Sequence, residues 1–76
     1  MDDMDLLVSK YIRMIQTLNA DMLQISQWIV DLLNTESAKA FDPTVYQTIE
    51  QLVDAHESVH CAREALETAQ HRIVNR

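Results

Sequence analysis

Apolar residues in the first half of the chain recur at intervals of four and three, the spacing that lines one face of an α-helix. The run is unbroken and consists of Met4, Val8, Tyr11, Ile15, Leu18, Met22, Ile25, Ile29 and Leu32. A 4-3 repeat sustained over this length is typical of the seam of a coiled-coil-like helix. The pattern therefore predicts a helix over about residues 3–34, roughly 50 Å long at the standard rise.

The period is lost after Asn34, and the segment 35–42 is predicted to connect this helix to a second one. Asp42 is a favourable N-cap, and Pro43 suits the first position of a helix. Phe41 can pack on Tyr46 across that cap as a hydrophobic staple. These signals predict a second helix over about residues 43–75.

Large and small apolar residues alternate along the second helix at helical spacing. The predicted seam is Leu52, Ala55, Val59, Ala62, Leu66, Ala69 and Ile73, with polar residues such as His56, Arg63 and Gln70 beside it. Alanine at every seventh position lets a neighbouring backbone approach closely, which suits an antiparallel partner after a short connection. We therefore expect an all-α fold, a single-domain antiparallel two-helix hairpin over residues 1–76.

The first helix carries more apolar surface than this narrow stripe covers. One flank of its seam holds Leu7, Met14 and Trp28, and the other holds Ile12, Leu23, Val30 and Leu33. Large exposed apolar patches on small proteins mark interaction surfaces. These seven residues are the predicted partner-binding residues, with Trp28 as an anchor because tryptophan is enriched at binding hot spots. The alternative for Trp28 is packing over the connecting segment near Phe41, because both residues lie near that end and aromatic residues pair readily.

The composition excludes several classes of function. Twelve acidic and six basic residues give a formal charge of −6, which disfavours nucleic acid as a partner. The sequence has no glycine, and so no glycine-rich phosphate loop. No apolar run approaches the roughly 20 residues of a membrane span, and the acidic start is unlike a secretory signal. We expect a cytoplasmic, non-enzymatic protein with no cofactor and no membrane insertion. The single cysteine, Cys61, is expected to be structural rather than a catalytic thiol.

One motif suggests metal chemistry. His56-Glu57-Ser58-Val59-His60 matches the zinc-protease signature H-E-x-x-H, and a helix places both histidines on one face, with Glu64 as a candidate third ligand. However, Arg63 and Leu66 stand where the extended motif needs glycine and histidine. A hairpin also offers no strand to align a substrate. We therefore expect no catalytic zinc site, and adventitious metal binding by His56 and His60 stays open.

The segment Asp42-Pro43-Thr44-Val45-Tyr46-Gln47, with Leu52, Ala55, Glu57 and Ser58 beyond it, resembles the YscE/SsaE-type small proteins of bacterial type III secretion systems. The resemblance covers about residues 41–68, whereas the first helix matches only in length and amphipathic character. It implies a helical hairpin that acts as a cytoplasmic co-chaperone in a virulence apparatus. In that family the hairpin pairs with a larger tetratricopeptide-type chaperone, and together they keep the needle subunit soluble and unpolymerised before export.

Two self-associating hairpins are the alternatives. Needle subunits are helical hairpins of this size with an Asp-Pro near the turn, but here Tyr46-Gln47 follows Pro43 almost at once, and the glycine usual in needle chains is missing. A hairpin with a spare apolar face also closes naturally into a C2 four-helix homodimer, as in antitoxin-like or regulatory proteins. Such a homodimer is the expected alternative when the partner is absent.

Overall fold

The computed structural model describes residues 3–75, which form two long helices joined by a short helical connection. The helices are α1 (Asp3–Leu33), α2 (Glu36–Lys39) and α3 (Pro43–Val74). The described part of the chain contains no strand. The long helices begin and end within a residue or so of the limits expected from the sequence. The all-α class and the packing of two long helices against each other are confirmed.

Helices α1 and α3 run antiparallel along a narrow rod. The Arg63 Nη1 atom donates to Asn19 Oδ1 at 3.2 Å, which links the middle of α3 to the middle of α1. Leu32, near the end of α1, shares a groove with Leu52, in the first half of α3. The rod measures 57 × 16 × 13 Å, and its radius of gyration is 17.3 Å. A globular domain of this length has a radius of gyration of about 11 Å, so the hairpin is extended.

The connection contains a one-turn helix, α2, which the sequence period did not predict. Thr35 is its N-cap: the hydroxyl accepts from Ala38 N at 3.1 Å and donates to Leu32 O at 2.7 Å. Ala38 is only 3% exposed and is more deeply buried than Ile25, the other buried residue of the described chain. A four-residue helix is too short to show a hydrophobic repeat. The capping threonine was the one local signal for it.

Phe41 ends α2 in the left-handed conformation, with φ of 60°. Its amide donates to Ala38 O and the Asp42 amide donates to Ser37 O, both at 3.0 Å, which is the hydrogen-bond pattern of a Schellman cap. Glycine usually occupies this position, but the sequence contains none. The Phe41 ring instead stacks on Tyr46, with centroids 6.5 Å apart, as the staple predicted. Asp42 caps α3 as predicted by accepting from Thr44 N at 2.9 Å.

The interior between α1 and α3 is thin. In the described chain the buried apolar residues are Ile25, at 8% exposure, and Ala38. The other eight positions of the predicted α1 seam are half-buried, so that seam is confirmed. Two helices touching along one line leave each seam side chain partly in contact with water, because no third element covers it.

The predicted seam of α3 is wrong at two of its three alanine positions, whereas Ala69 is half-buried as predicted. Ala55 and Ala62 are exposed, whereas polar residues predicted to lie beside the seam are half-buried within it. The observed seam is Val45, Ile49, Leu52, His56, Val59, Arg63, Leu66, Gln70 and Ile73. Both patterns share Leu52, Val59, Leu66 and Ile73. Ile49 distinguishes the two patterns. A repeat that passes through Ile49 leads to His56, whereas one that passes through Thr48 leads to Ala55. Burying Ile49 removes more apolar surface from water than burying Thr48 would, so the first repeat forms the seam.

Substitutions at Gln70 and Ala62 test the corrected seam. Gln70→Leu places an apolar side chain in the half-buried seam and is expected to raise the free energy of unfolding by about 1 kcal/mol. Ala62→Leu, on an exposed position, is expected to change it by less than about 0.5 kcal/mol. Urea unfolding followed by circular dichroism measures both values. If Ala62→Leu raises the free energy of unfolding more than Gln70→Leu does, the seam of α3 passes through the alanines instead.

A second pair of variants tests the strain at Phe41. Phe41→Ala and Phe41→Gly both remove the stack on Tyr46, but only glycine relieves the left-handed conformation. The glycine variant should therefore be more stable than the alanine variant by about 1 kcal/mol. Thermal or urea unfolding of the two proteins gives the difference. Equal stability, or a more stable alanine variant, would show that the backbone at residue 41 does not keep a positive φ in solution.

Candidate partner-binding surface

All seven residues predicted to bind a partner are exposed on α1. They are Leu7, Ile12, Met14, Leu23, Trp28, Val30 and Leu33, of which Leu23 is 74% exposed and Trp28 is 49% exposed. Their exposure follows from the helix period, because the seam turns toward α3 and leaves both flanks outside the contact. Nothing in residues 3–75 covers either flank. The binding role itself stays a prediction.

The total surface of the chain gives the scale of this exposure. The protein exposes 5661 Å², whereas an ordinary folded monomer of 8.8 kDa exposes about 4,800 Å². The excess is about 900 Å², and one partner in a standard protein–protein interface buries about 800 Å². The hairpin therefore exposes, beyond what its mass requires, about as much surface as one stable interface removes from water.

Trp28 lies on the side of the hairpin that also carries the alanines of α3. It lines an open, almost wholly apolar groove together with Asp31, Leu32, Thr35 and Leu52. Farther along this side, Met14 and Leu7 follow Trp28 at whole heptad intervals on α1. The exposed Ala55 and Ala62 lie three residues after Leu52 and Val59, on the matching flank of α3. Bulky side chains on one helix and small ones on the other form a shallow trough.

Phe41 does not cover Trp28. The Phe41 ring stacks on Tyr46 and is itself 77% exposed at the tip of the hairpin. Trp28 instead faces the groove over Leu52. The two aromatic rings therefore do not pair, although Trp28 does share its groove with Thr35 of the connection. The indole remains half-exposed, as a binding anchor requires.

The opposite side of the hairpin is polar in its middle. Besides its bond to Asn19, Arg63 bonds through Nη2 to His60 Nδ1 at 3.2 Å. Arginine can only donate, so Nδ1 of His60 is the acceptor and its proton lies on Nε2. That nitrogen is 3.0 Å from Glu64 Oε1, to which it donates. A hydrogen-bonded chain thus runs from α1 across Arg63 and His60 to Glu64.

The H-E-x-x-H segment is divided between different environments. His56 is in the seam and lines a cleft with Arg63, while His60 is engaged by Arg63 and Glu64. Glu57 is exposed and accepts from the Cys61 thiol at 3.8 Å. Among residues 3–75, no three His, Cys, Asp or Glu side chains are grouped so that they could hold a metal ion. Cys61 is itself exposed rather than packed in the seam.

Several exposed apolar residues were not among the predicted site residues. Beyond Phe41, they are Leu6, Tyr46, Val53 and Val74. Tyr46 and Val53 lie on one flank of the observed α3 seam. With the seam assigned to the alanines, that flank was not identified as an exposed apolar surface. The sequence signal for this flank is Ile49, because a seam that includes Ile49, which is half-buried, places Tyr46 and Val53 beside it.

Comparison with known proteins gives no relatives for this chain. No protein-family profile matches it, no curated protein has a significantly similar sequence, and no solved structure has a significantly similar fold. The resemblance to type III secretion co-chaperones therefore stays a prediction carried by the residues quoted for it. Within residues 3–75, no helix combines the length and apolarity needed to cross a bilayer.

Proposed function

We propose that this chain is a non-enzymatic, cytoplasmic co-chaperone of a type III secretion system. It pairs with a larger tetratricopeptide-type chaperone, and the pair keeps the needle subunit soluble and unpolymerised before export. The observation that carries the proposal is the exposed apolar surface on both flanks of α1, in a chain whose total exposed surface exceeds that of an ordinary monomer of its mass by about the area that one partner buries in an interface. The Asp42 cap and the Tyr46-Gln47 segment support the choice of family.

The mechanism is masking of apolar helix surface. A helical-repeat protein presents a concave row of helices, and a rod 57 Å long can lie along such a surface as one more helical layer. Burial of Trp28 and Met14 would supply most of the affinity, because large side chains in the centre of an interface dominate binding. The negative net charge keeps the exposed apolar flanks from aggregating while the partner is absent.

Self-association is the second candidate function, and the trough on the Trp28 side favours it. Exposed alanines on α3 leave room for a bulky side chain from a second hairpin, and the α1 flank on the same side supplies such side chains. In a C2 arrangement two copies would satisfy each other in this way. The product would be a four-helix homodimer that acts as a regulator, or that stores the chain until its partner is made.

Single substitutions on the exposed flank test the co-chaperone proposal. The chain is co-expressed with the tetratricopeptide-type chaperone and the needle subunit of the secretion system in its source organism. Trp28→Ala and Met14→Ala are each expected to weaken binding by more than about 1 kcal/mol, while the helical circular dichroism signal is unchanged. Gln24→Ala, an exposed polar position on the same helix, is the matched control. Calorimetry gives the affinities.

The mass of the isolated chain and of the mixture, measured by light scattering, separates the candidates. A heterocomplex that contains the chain supports the co-chaperone. A stable dimer that ignores both co-expressed proteins and is disrupted by Trp28→Ala establishes the homodimer instead. Growth of the isolated chain into long polymers would identify a needle subunit. If Trp28→Ala unfolds the hairpin and leaves binding intact, Trp28 belongs to the hairpin core.

A further inference from the structure

A cleft on the side of the hairpin away from Trp28 has the chemistry of an anion-binding site. We call it the Arg63 cleft; it has a volume of about 420 Å³, and its lining residues are Asn19, Met22, Leu23, Ser26, His56 and Arg63. A cation, two neutral hydrogen-bonding side chains and an imidazole thus meet between α1 and α3. The cleft is open on one side to solvent, and Leu23 stands at its rim.

Arg63 is a half-buried cation without a counter-ion. Within residues 3–75 its hydrogen bonds go to neutral groups, Asn19 Oδ1 and His60 Nδ1. Its Nε atom is enclosed and has no hydrogen-bond partner in the described chain. No ion pair joins Arg63 to any carboxylate within residues 3–75, although the chain has twice as many acids as bases. A guanidinium removed from water without a carboxylate is costly, and a supplied carboxylate would offset that cost.

Apolar side chains lie on both sides of this cation along the rod. One row of α1, at intervals of seven residues, reads Ile12, Asn19, Ser26 and Leu33. Its two polar members line the cleft and its two apolar members are exposed beyond it. Each apolar end lies one heptad, about 10 Å, from the nearer polar member. Leu23 and Val30 extend the apolar surface along the outer edge of the same row.

We propose that the Arg63 cleft receives a glutamate or aspartate from an amphipathic helix of a partner protein. The carboxylate binds the Nη N–H groups of Arg63 that Asn19 and His60 leave free, and apolar residues about three turns to either side of it cover Ile12 and Leu33. The proposal rests on the proposed function, in that a helical partner covers α1, and it adds the chemistry by which that partner is recognised. A sequence with an acidic residue midway between two apolar positions on one helix face is the expected ligand.

Other occupants fit this surface less well. A second copy that docks symmetrically through the same face would bring two Arg63 guanidiniums close to the two-fold axis, where like charges repel. A free small anion would pair with Arg63 but leave Leu23, Val30 and Ile12 in water. A polyanion is repelled by the net charge of −6. An acidic amphipathic helix meets both the charge and the apolar requirement.

Two synthetic helical peptides test the proposal. Each has about 25 residues, long enough to span the row from Ile12 to Leu33, roughly 32 Å at the helical rise. They are identical except for Glu or Gln at the central position, with leucines about three turns to either side. The Glu peptide is expected to bind the full chain about tenfold more tightly than the Gln peptide, the scale of one charge-assisted hydrogen-bonded pair.

Substitutions in the chain test whether Arg63 is the residue that prefers the Glu peptide. Arg63→Gln should abolish the difference between the two peptides, whereas Arg72→Gln, which removes an exposed arginine of α3, should leave it intact. Leu23→Ser, at an exposed position that does not support the hairpin, should weaken both peptides equally. In NMR spectra of the wild-type chain, the guanidinium Nη–H signals of Arg63 should shift with the Glu peptide, and those of Arg72 should not.

Several results would overturn the site. These are equal binding of the two peptides by the wild-type chain, no binding of either, or an undiminished preference in Arg63→Gln. Displacement of the peptide by added sodium acetate alone, with no effect of Leu23→Ser, would show a simple anion site instead. None of these results bears on whether a helical-repeat chaperone captures the chain through Trp28. Conversely, failure to capture that chaperone would leave the peptide preference standing.

Discussion

Two helices that touch along a single line cannot enclose a core, and most features of this hairpin follow from that constraint. A seam residue meets the facing helix on one side and solvent on the other, so even the nine-member apolar seam of α1 is mostly half-buried. The free energy of folding then depends on many partial contacts and on the capped connection. The same geometry leaves the flanks of α1 exposed, and the proposed partner would supply the missing layer.

The sequence predicted those parts of the structure that depend on short-range signals or on an unambiguous period. The α1 seam, the Asp42 cap, Pro43 at the start of α3 and the staple between Phe41 and Tyr46 are of this kind. The sequence did not determine which face of α3 forms the seam, because Leu52 and Val59 belong equally to a repeat through alanines and to one through polar residues. Alanine resembles a core residue in a pattern, but it removes little apolar surface from water.

The sequence predicted seven of the exposed apolar residues of α1. It did not predict that the Arg63 side of the hairpin has a polar middle while the Trp28 side carries an apolar groove. Burial of Arg63 in the seam came from long-range packing, and no local pattern distinguishes it from an exposed arginine such as Arg72. Its consequences are a polar bridge to Asn19 and a cation beside the polar middle of an α1 row whose two ends are apolar. A single polar pair in a helical seam specifies the alignment of the two helices, because sliding by one heptad would separate it.

The connection also decides where the hairpin opens. The Schellman cap, the stack on Tyr46 and the bond from the Tyr46 hydroxyl to Ala38 O at 3.1 Å tie the helices together at one end of the rod. Thermal separation of α1 from α3 is therefore most strongly resisted at the connection and is expected to spread toward it from the opposite end of the rod, one heptad at a time. We therefore expect amide exchange protection to rise along the rod toward the connection. A partner that approaches the terminal half of α1 would then meet the more deformable surface, and the Trp28 groove near the connection the more rigid one.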